Sequence, residues 1–444
     1  MNLKHKILFI LLSVLGLEKG YTQHPEQTIA FTEVNVIPMD KDHVLKNQTV
    51  LIRGSKIMLV GNTADIKLPS DARIISAKGM YLIPGLADMH AHLPAGDAGD
   101  IGMVDYLKLN LIRGITTLRS MRGDTKQLAL RDSLRKNLIA GPDLFLASPV
   151  LPPDKDLNPD LARTLIKKYK QEDFDFIKYL YTLNPALYDS VMTIASKEHI
   201  RVAGHCPKAG LEAALLNGQA SVEHLDGFLE LYKKDSAKFR ETVHKMGLAG
   251  ICACPDIQWY YLSWNQLGLE QLDGRKGMNL LSPELVGHWD SAYRASYTEH
   301  MKNKPEFIKI RNGHRKDLEM SARMLATMQE QGLSLLLSPG DGPYVVPGFS
   351  MLEECRNFIA SGISPYETLR AGTVNASAFF KAEKEWGTIE QGKKADLVLL
   401  RSNPLDNLDS LDQINGVMTR GVWYSAEELE KIQTELKERY NRKK

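Results

Sequence analysis

Cysteine is scarce: 444 residues hold four, Cys206, Cys252, Cys254 and Cys355. Their spacing matches no zinc-ribbon pattern, and a chain this long does not need covalent staples to hold a core. Cys252 and Cys254 alternate along the apolar run GLAGICACP and are expected as small core residues on one face of a strand. Excess charge of one sign is missing as well. The 56 basic and 54 acidic side chains leave a net charge of +2, which gives no footprint for nucleic acid or a polybasic membrane contact. Long apolar runs are absent apart from Ile7–Leu17. That run follows Lys4 and Lys6, is too short to span a bilayer, and suits a signal peptide over residues 1–23 with cleavage near Tyr21–Gln23. An uncleaved anchor is the alternative. No cysteine follows the run, so a lipoprotein anchor has no support. The expectation is an exported protein, periplasmic or extracellular, with no membrane contact after cleavage.

Two kinds of segment remain. Residues 24–84 are rich in short β-type runs, TIAFTEVNVIPM, QTVLIRGSKIMLVG and ARIISAKGMYLIPG, separated by turn signals. Similar runs, KKADLVLLRSNP and INGVMTRGVWYS, recur in 385–425, so the two ends are predicted to form one composite β-domain, a small β-sandwich. Between them, 85–384 alternates apolar runs with helical stretches: GLADMHAHL, GITTLRSM, PDLFLASPV, FDFIKYL, HIRVAGHC, ASVEHL, LAGICACP and LSLLLSPGD. Eight repeats of strand and helix predict an α/β architecture, a closed (β/α)8 TIM-like barrel. An open doubly wound sheet would be expected to carry a glycine-rich phosphate loop after its first strand, and none is present. An aromatic-rich insert, 255–332, separates the seventh and eighth runs and ends in a helical pattern, RKDLEMSARMLATMQEQG. Residues 426–444 read as an amphipathic C-terminal helix that packs on the body. Capping boxes are expected at Ser364/Glu367 and Ser425/Glu428.

Side chains at the C-terminal ends of barrel strands converge on one place. Run one ends in His90 and His92, run four carries Lys178, run five ends in His205, run six in His224 and run eight in Asp341. The remaining runs end in small or apolar residues. Imidazole nitrogens with a carboxylate make a donor set that suits zinc. A lysine among cations loses its proton more readily, and its neutral amine can take up carbon dioxide to become a bridging carbamate. The alternative for Lys178 is a salt bridge to Asp173 or Asp175. Arg119, just past a strand end, could fork onto a substrate carboxylate or pair with a neighbouring loop. Tyr260, with Tyr261 and Trp264, could line a pocket or simply pack the insert on the barrel. His244, His288, His300 and His314 read as surface or structural residues.

IPGLADMHAHL resembles the opening signature of the amidohydrolase superfamily, an apolar strand ending in His-x-His. FDFIKYL, HIRVAGHC, ASVEHL and LLLSPGD fall in the family's order as strands four, five, six and eight, and WGTIEQGKKADLVLLRSNP is similar to its C-terminal return into the β-domain. The resemblance covers residues 28–425. It is nearest the imidazolonepropionase-like and Xaa-Pro or Xaa-Arg dipeptidase branch, from TTLRSM, DFIK and LNGQASVEHL. It implies one or two zinc ions. His90, His92 and Asp341 would hold the more buried metal, His205 and His224 the second, and a carboxylated Lys178 would bridge them. A metal-activated hydroxide would be the nucleophile, and Asp341 would take its proton and pass it to the leaving amine. A single-metal site without the carbamate is the variant of this scheme. Ser120 stands where relatives often have aspartate, and Cys206–Pro207 departs from the usual turn after strand five.

The expected function is therefore an exported metal-dependent hydrolase of amide bonds in a small-molecule substrate, a dipeptide or an N-acyl amino acid. Hydrolysis of a cyclic amide, lactone or ester by the same site is the alternative. A non-catalytic binding module is the reading from another class, and the six filled ligand positions argue against it. The chain is compatible with a homo-oligomer.

Overall fold

The computed structural model describes residues 27–94, 101–180 and 183–441. The expected signal peptide, 1–23, lies outside the described residues. The first strands are β1 (Thr28–Val36), β2 (Leu45–Arg53), β3 (Lys56–Asn62), β4 (Arg73–Ser76) and β5 (Tyr81–Pro84). Eight follow: β6 (Leu86–Ala91), β7 (Ile115–Ser120), β8 (Asp143–Leu146), β9 (Phe176–Tyr179), β10 (Arg201–Gly204), β11 (Ser221–Glu223), β12 (Cys252–Cys254) and β13 (Ser334–Leu335). The last are β14 (Leu397–Leu400), β15 (Ile414–Thr419) and β16 (Val422–Ser425). The eight runs read from the sequence coincide with β6 to β13. All eight are short and mostly buried along their length, as strands covered on both faces require, and the polar positions of β7 (ITTLRS) and β11 (SVE) are buried with the rest.

Both ends of the chain enter one eight-stranded sheet, ordered β16-β15-β14-β5-β1-β2-β3 with β4 also on β1. One edge of β1 is shared. Ile29–Thr32 pairs with β4, and Asn35 and Val36 pair with β5. The change of partner falls where the β1/β2 register shifts between Phe31 and Val34, at Glu33 with φ of 56°. A bulge bends a strand and lets it serve two neighbours. Phe31, Val50, Leu82, Leu399, Met418 and Trp423 close a separate core over this sheet, with the Trp423 ring edge-on to Phe31 at 4.9 Å.

β6-β7-β8 and β9 to β13 form two parallel sheets. An Ala147–Phe176 bridge links β8 to β9, and the Met89 N–H donates to Leu337 O, just past β13, at 3.0 Å. Leu118, Leu144, Ile177, Val202 and Val222 pack outward against the helices. Phe176, Ala203, Cys252 and Cys254 form a second cluster with Phe379 and Trp386. All four cysteines are free and buried, as small core residues.

Within 255–332 lie helices Ile257–Ser263, Leu269–Asp273, Pro283–Met301 and Lys304–Glu330; the helical pattern read at its end is the second half of the last. The Ser425/Glu428 box forms in both directions. At Ser364 only half forms: its Oγ accepts from Glu367 N–H, but the Glu367 carboxylate turns to Gln329 and Arg370. The helix Ala426–Asn441 docks on the body through Arg439 and Tyr440, which both donate to buried Asp105. Among the described residues no helix is long and apolar enough to cross a membrane.

Candidate metal centre

His90 is the penultimate residue of β6, and His92 follows the strand's end. Their ring centroids are 5.3 Å apart. His90 also lies 4.6 Å from the ring of His224, and His224 lies 4.8 Å from His205. The four histidines read from the sequence therefore form one continuous row of imidazoles. Asp341 joins it at the rim, with Oδ2 3.1 Å from His92 Nδ1. Burial, the Lys178 charge and the other imidazoles push His90 well below the ordinary histidine range; burial, then His205 and Lys178, do the same to His224. Neutral imidazole is the form that donates to a metal.

Lys178 on β9 is fully buried, and its Nζ has no hydrogen-bond partner. The alternative salt bridge is not made: Asp173 and Asp175 both pair with Arg131. Desolvation pulls the lysine down to about 8, the nearby Arg119 adding to it while Glu223 and Asp256 oppose. An ammonium buried without partners is costly, so this amine is poised to lose its proton or find a ligand. His92 Nε2, His224 Nδ1 and Asp256 Oδ2 are also buried without hydrogen bonds. These orphaned atoms are what a cation would satisfy, and the donor set of nitrogens and carboxylates fits a divalent metal.

The sequence reading missed the acidic floor of the site. Glu223, one residue before His224, accepts from His90 Nδ1 at 2.8 Å. Asp256 stands two residues beyond β12, a strand whose sequence run ends in small and apolar residues. Its Oδ2 is 3.2 Å from His90 Nδ1 and 3.0 Å from His224 Nδ1. Burial, with Glu223 and Glu354 nearby, raises Asp256 well above the usual carboxylate range. His224 and Asp256 both sit in the left-handed region, at φ of 65° and 50°. Such strained residues cluster at functional sites. His90, Glu223, Cys254 and Asp256 bring ligand atoms within 4.8 Å of one another, a group able to hold a metal ion. Within that group Glu223 is already met by Arg119, and the Cys254 thiol, kept protonated by burial, faces Asp256 Oδ1 at 3.3 Å.

Arg119 lies within β7 rather than past its end, is fully buried, and takes the ion-pair reading rather than facing open space. Its guanidinium donates to Glu223 Oε2 at 2.7 Å, to Ser221 Oγ at 2.9 Å and to Met89 O, with the Phe379 ring 4.7 Å away. Tyr260 likewise takes its packing reading. Its hydroxyl is buried, accepting from Leu225 N–H at 2.9 Å and donating to Asp226 Oδ1 at 3.1 Å. Asp226 Oδ2 in turn is 3.5 Å from His205 Nδ1, so Tyr260 acts on the row of histidines from behind.

Open space reaches the row at its His92 end. A cavity of about 170 Å³ is lined by His92, Asp341, Arg122, Tyr106 and apolar side chains, and a second of about 450 Å³ by residues that include His92, Arg122, Asp124 and Gln127.

The parallel strands, the row of histidines and the buried lysine define a hydrolase-like centre, and the sequence matches the amidohydrolase family over residues 81–424. The chain belongs to that family. It is 24% identical to the imidazolonepropionase of Shouchella clausii (strain KSM-K16) over 410 residues, 85% of each chain. Its fold is similar to that of a Xaa-Pro dipeptidase crystallised with methionine in its active site, with a TM-score of 0.69, 18% identity, and coverage of 90% of this chain and 100% of that one. It is similar also to a bottromycin amidohydrolase, with a TM-score of 0.73, 20% identity, and coverage of 93% and 90%.

Proposed function

We propose that the protein is a metal-dependent amidohydrolase that cleaves the amide bond of a dipeptide or an N-acyl amino acid, on a closed eight-stranded barrel, after export from the cell. The observation that carries this reading is the buried Lys178 amine, without a hydrogen-bond partner, set close to the imidazoles of His90 and His224. His90, His92, His205, His224 and Asp341 would hold the metal, zinc by its donor set, with Lys178 between them as a carbamate. A bound divalent ion supplies a lowered pKa for water and polarisation of the scissile carbonyl. Glu223 fixes the ring of His90 from behind, as outer carboxylates do in metal sites. Asp341, against the cavity and beside His92, takes a proton from water and returns it to the departing amine.

The test is metal content per chain by elemental analysis, for the wild type and Lys178→Ala, with release of free amine from dipeptides and N-acyl amino acids followed in parallel. About two metals in the wild type and fewer in the variant, with amine release, is the expected result. One metal, unchanged in the variant, keeps the hydrolase and removes the carbamate bridge. Turnover confined to a lactone, cyclic amide or ester moves the substrate class. No metal when zinc and bicarbonate are supplied overturns the catalytic reading.

A further inference from the structure

Arg122 is the one guanidinium or ammonium among the described residues lining the two cavities at the His92 end. The other titratable side chains there include Asp124, Asp341 and His92. Asp124 Oδ1 is engaged by the Lys126 N–H at 2.8 Å, and Asp341 Oδ2 faces His92. The Arg122 side chain is exposed and has no hydrogen-bond or ion-pair partner among the described residues. Its backbone is fixed nonetheless. Met121 N–H donates to Ala91 O at 2.7 Å, and Arg122 O accepts from Ser120 Oγ at 3.3 Å and Gln127 Nε2 at 3.0 Å. Gly123 then packs so tightly that a Cβ there would lie 1.9 Å from Ala147 O. A free guanidinium on a rigid turn, opening into the cavity that holds Asp341, is a pre-organised fork for an oxyanion. Around these charged groups the smaller cavity presents Leu93, Ile101, Leu285, Trp289 and Val345, with Tyr106 and prolines completing the wall. Two of these, Leu285 and Trp289, come from helix Pro283–Met301 of the insert.

We infer that Arg122 binds the free carboxylate of the substrate while the apolar cavity beside Asp341 takes its side chain. The substrate is then an amino acid of apolar side chain, acylated on its nitrogen and free at its carboxyl end. This rests on the amide-hydrolase reading above and narrows it. A carboxylate held by a fork at one end and a scissile amide at Asp341 fixes the bond relative to the acid–base group, which is where positioning acts on rate.

The experiment measures binding by calorimetry with the ketone isostere of N-acetyl-L-leucine, in which a methylene replaces the amide nitrogen so that no scissile bond remains, and with its primary carboxamide, with inorganic phosphate as a competitor, on zinc-supplied wild type, Arg122→Gln and Arg122→Lys. Each variant's melting curve checks that it is folded. The expected result is that the wild type binds the acid at least tenfold more tightly than the amide, that Arg122→Gln loses this preference, and that Arg122→Lys keeps part of it. Equal binding of acid and amide, or an unchanged preference in Arg122→Gln, overturns the assignment. Phosphate displacing the acid while the acid itself discriminates poorly also overturns it, in favour of a phosphorylated ligand. Amine release from dipeptides is scored separately, so the hydrolase reading can survive the loss of Arg122, and a discriminating Arg122 can survive the loss of the hydrolase reading.

Discussion

A single buried pair shows how much of the site is held from below. Arg119 and Glu223 are both fully buried, 104 residues apart in sequence, and Glu223 also accepts from His90 and from Ser221. Removing one partner of such a pair strands a charge in the interior, whereas replacing both with apolar groups of similar volume does not. Arg119→Leu is therefore expected to lower stability by about 3–5 kcal/mol. Arg119→Leu with Glu223→Leu is expected to recover most of that loss, a coupling typical of residues in direct contact. Urea unfolding of chelator-treated protein measures both without the metal's contribution. A single variant within 0.5 kcal/mol of wild type would mean that Glu223 does not need this guanidinium. The residue scale is also where the sequence was least legible. His90, His92, His205 and His224 could be read because histidine is rare and stands at strand ends. Glu223 and Asp256 could not, since nothing local distinguishes a buried carboxylate from an exposed one. Arg119 is ambiguous in the sequence for the same reason: an arginine near a strand end says nothing about which way it points. Arg122, three residues on, is the one that faces open space.

At the scale of elements, the insert is tied to the site by a carboxylate cap. Glu354, on helix Ser350–Ala360, accepts from Ile257 N–H at 2.9 Å and from Gln258 N–H at 2.7 Å, closing the N-terminus of helix Ile257–Ser263. That helix begins right after Asp256 and carries Tyr260, so the cap holds both the acidic floor and the Tyr260–Asp226–His205 chain. Glu354 is fully buried, and desolvation raises it to about 7, outweighing the bonds it accepts. Because its folded pKa lies above the unfolded value, the folded state binds the extra proton between roughly pH 4.5 and 7. Its contribution to stability is thus greatest below that window and falls as pH rises through it. Glu354→Gln titrates nowhere in this range and can accept only one of the two N–H groups. Its stability relative to wild type is expected to start about 1–2 kcal/mol lower near pH 4.5 and to improve by about 3 kcal/mol by pH 8. Thermal or urea unfolding across that range reads the difference directly. A gap that does not change with pH would show that Glu354 is ionised throughout. The capping boxes teach the same lesson about legibility. Ser425/Glu428 forms because Glu428 has no better partner, while Glu367 is drawn away by Gln329 and Arg370, which no local pattern reveals.

Across the whole molecule the large features were legible because they repeat. Eight apolar runs, each flanked by turns and helices, give β6 to β13, and matching runs at both ends give the strands of one sheet. The consequence of that chain path is mechanical. β14 lies against β5 in antiparallel register, Ile83 opposite Val398 and Leu82 opposite Leu399, and β5 runs through Gly85 straight into β6, which carries His90. Gly85 N–H itself donates to Asp396 O at 2.8 Å. The last strands therefore brace the segment that starts the metal centre, more than 300 residues away in sequence. Removing residues 385–444 would uncover the apolar face closed by Leu397, Leu399, Met418 and Trp423, each worth about 1.5–3 kcal/mol when buried, and would leave β5 with an unpaired edge, which invites pairing with other chains. The truncated chain is expected to collect in the insoluble fraction, and any soluble part to elute as large aggregates on size exclusion with metal content well below that of the full chain. A soluble truncation with the full chain's metal content would show that β6 and its histidines are set by the parallel strands alone.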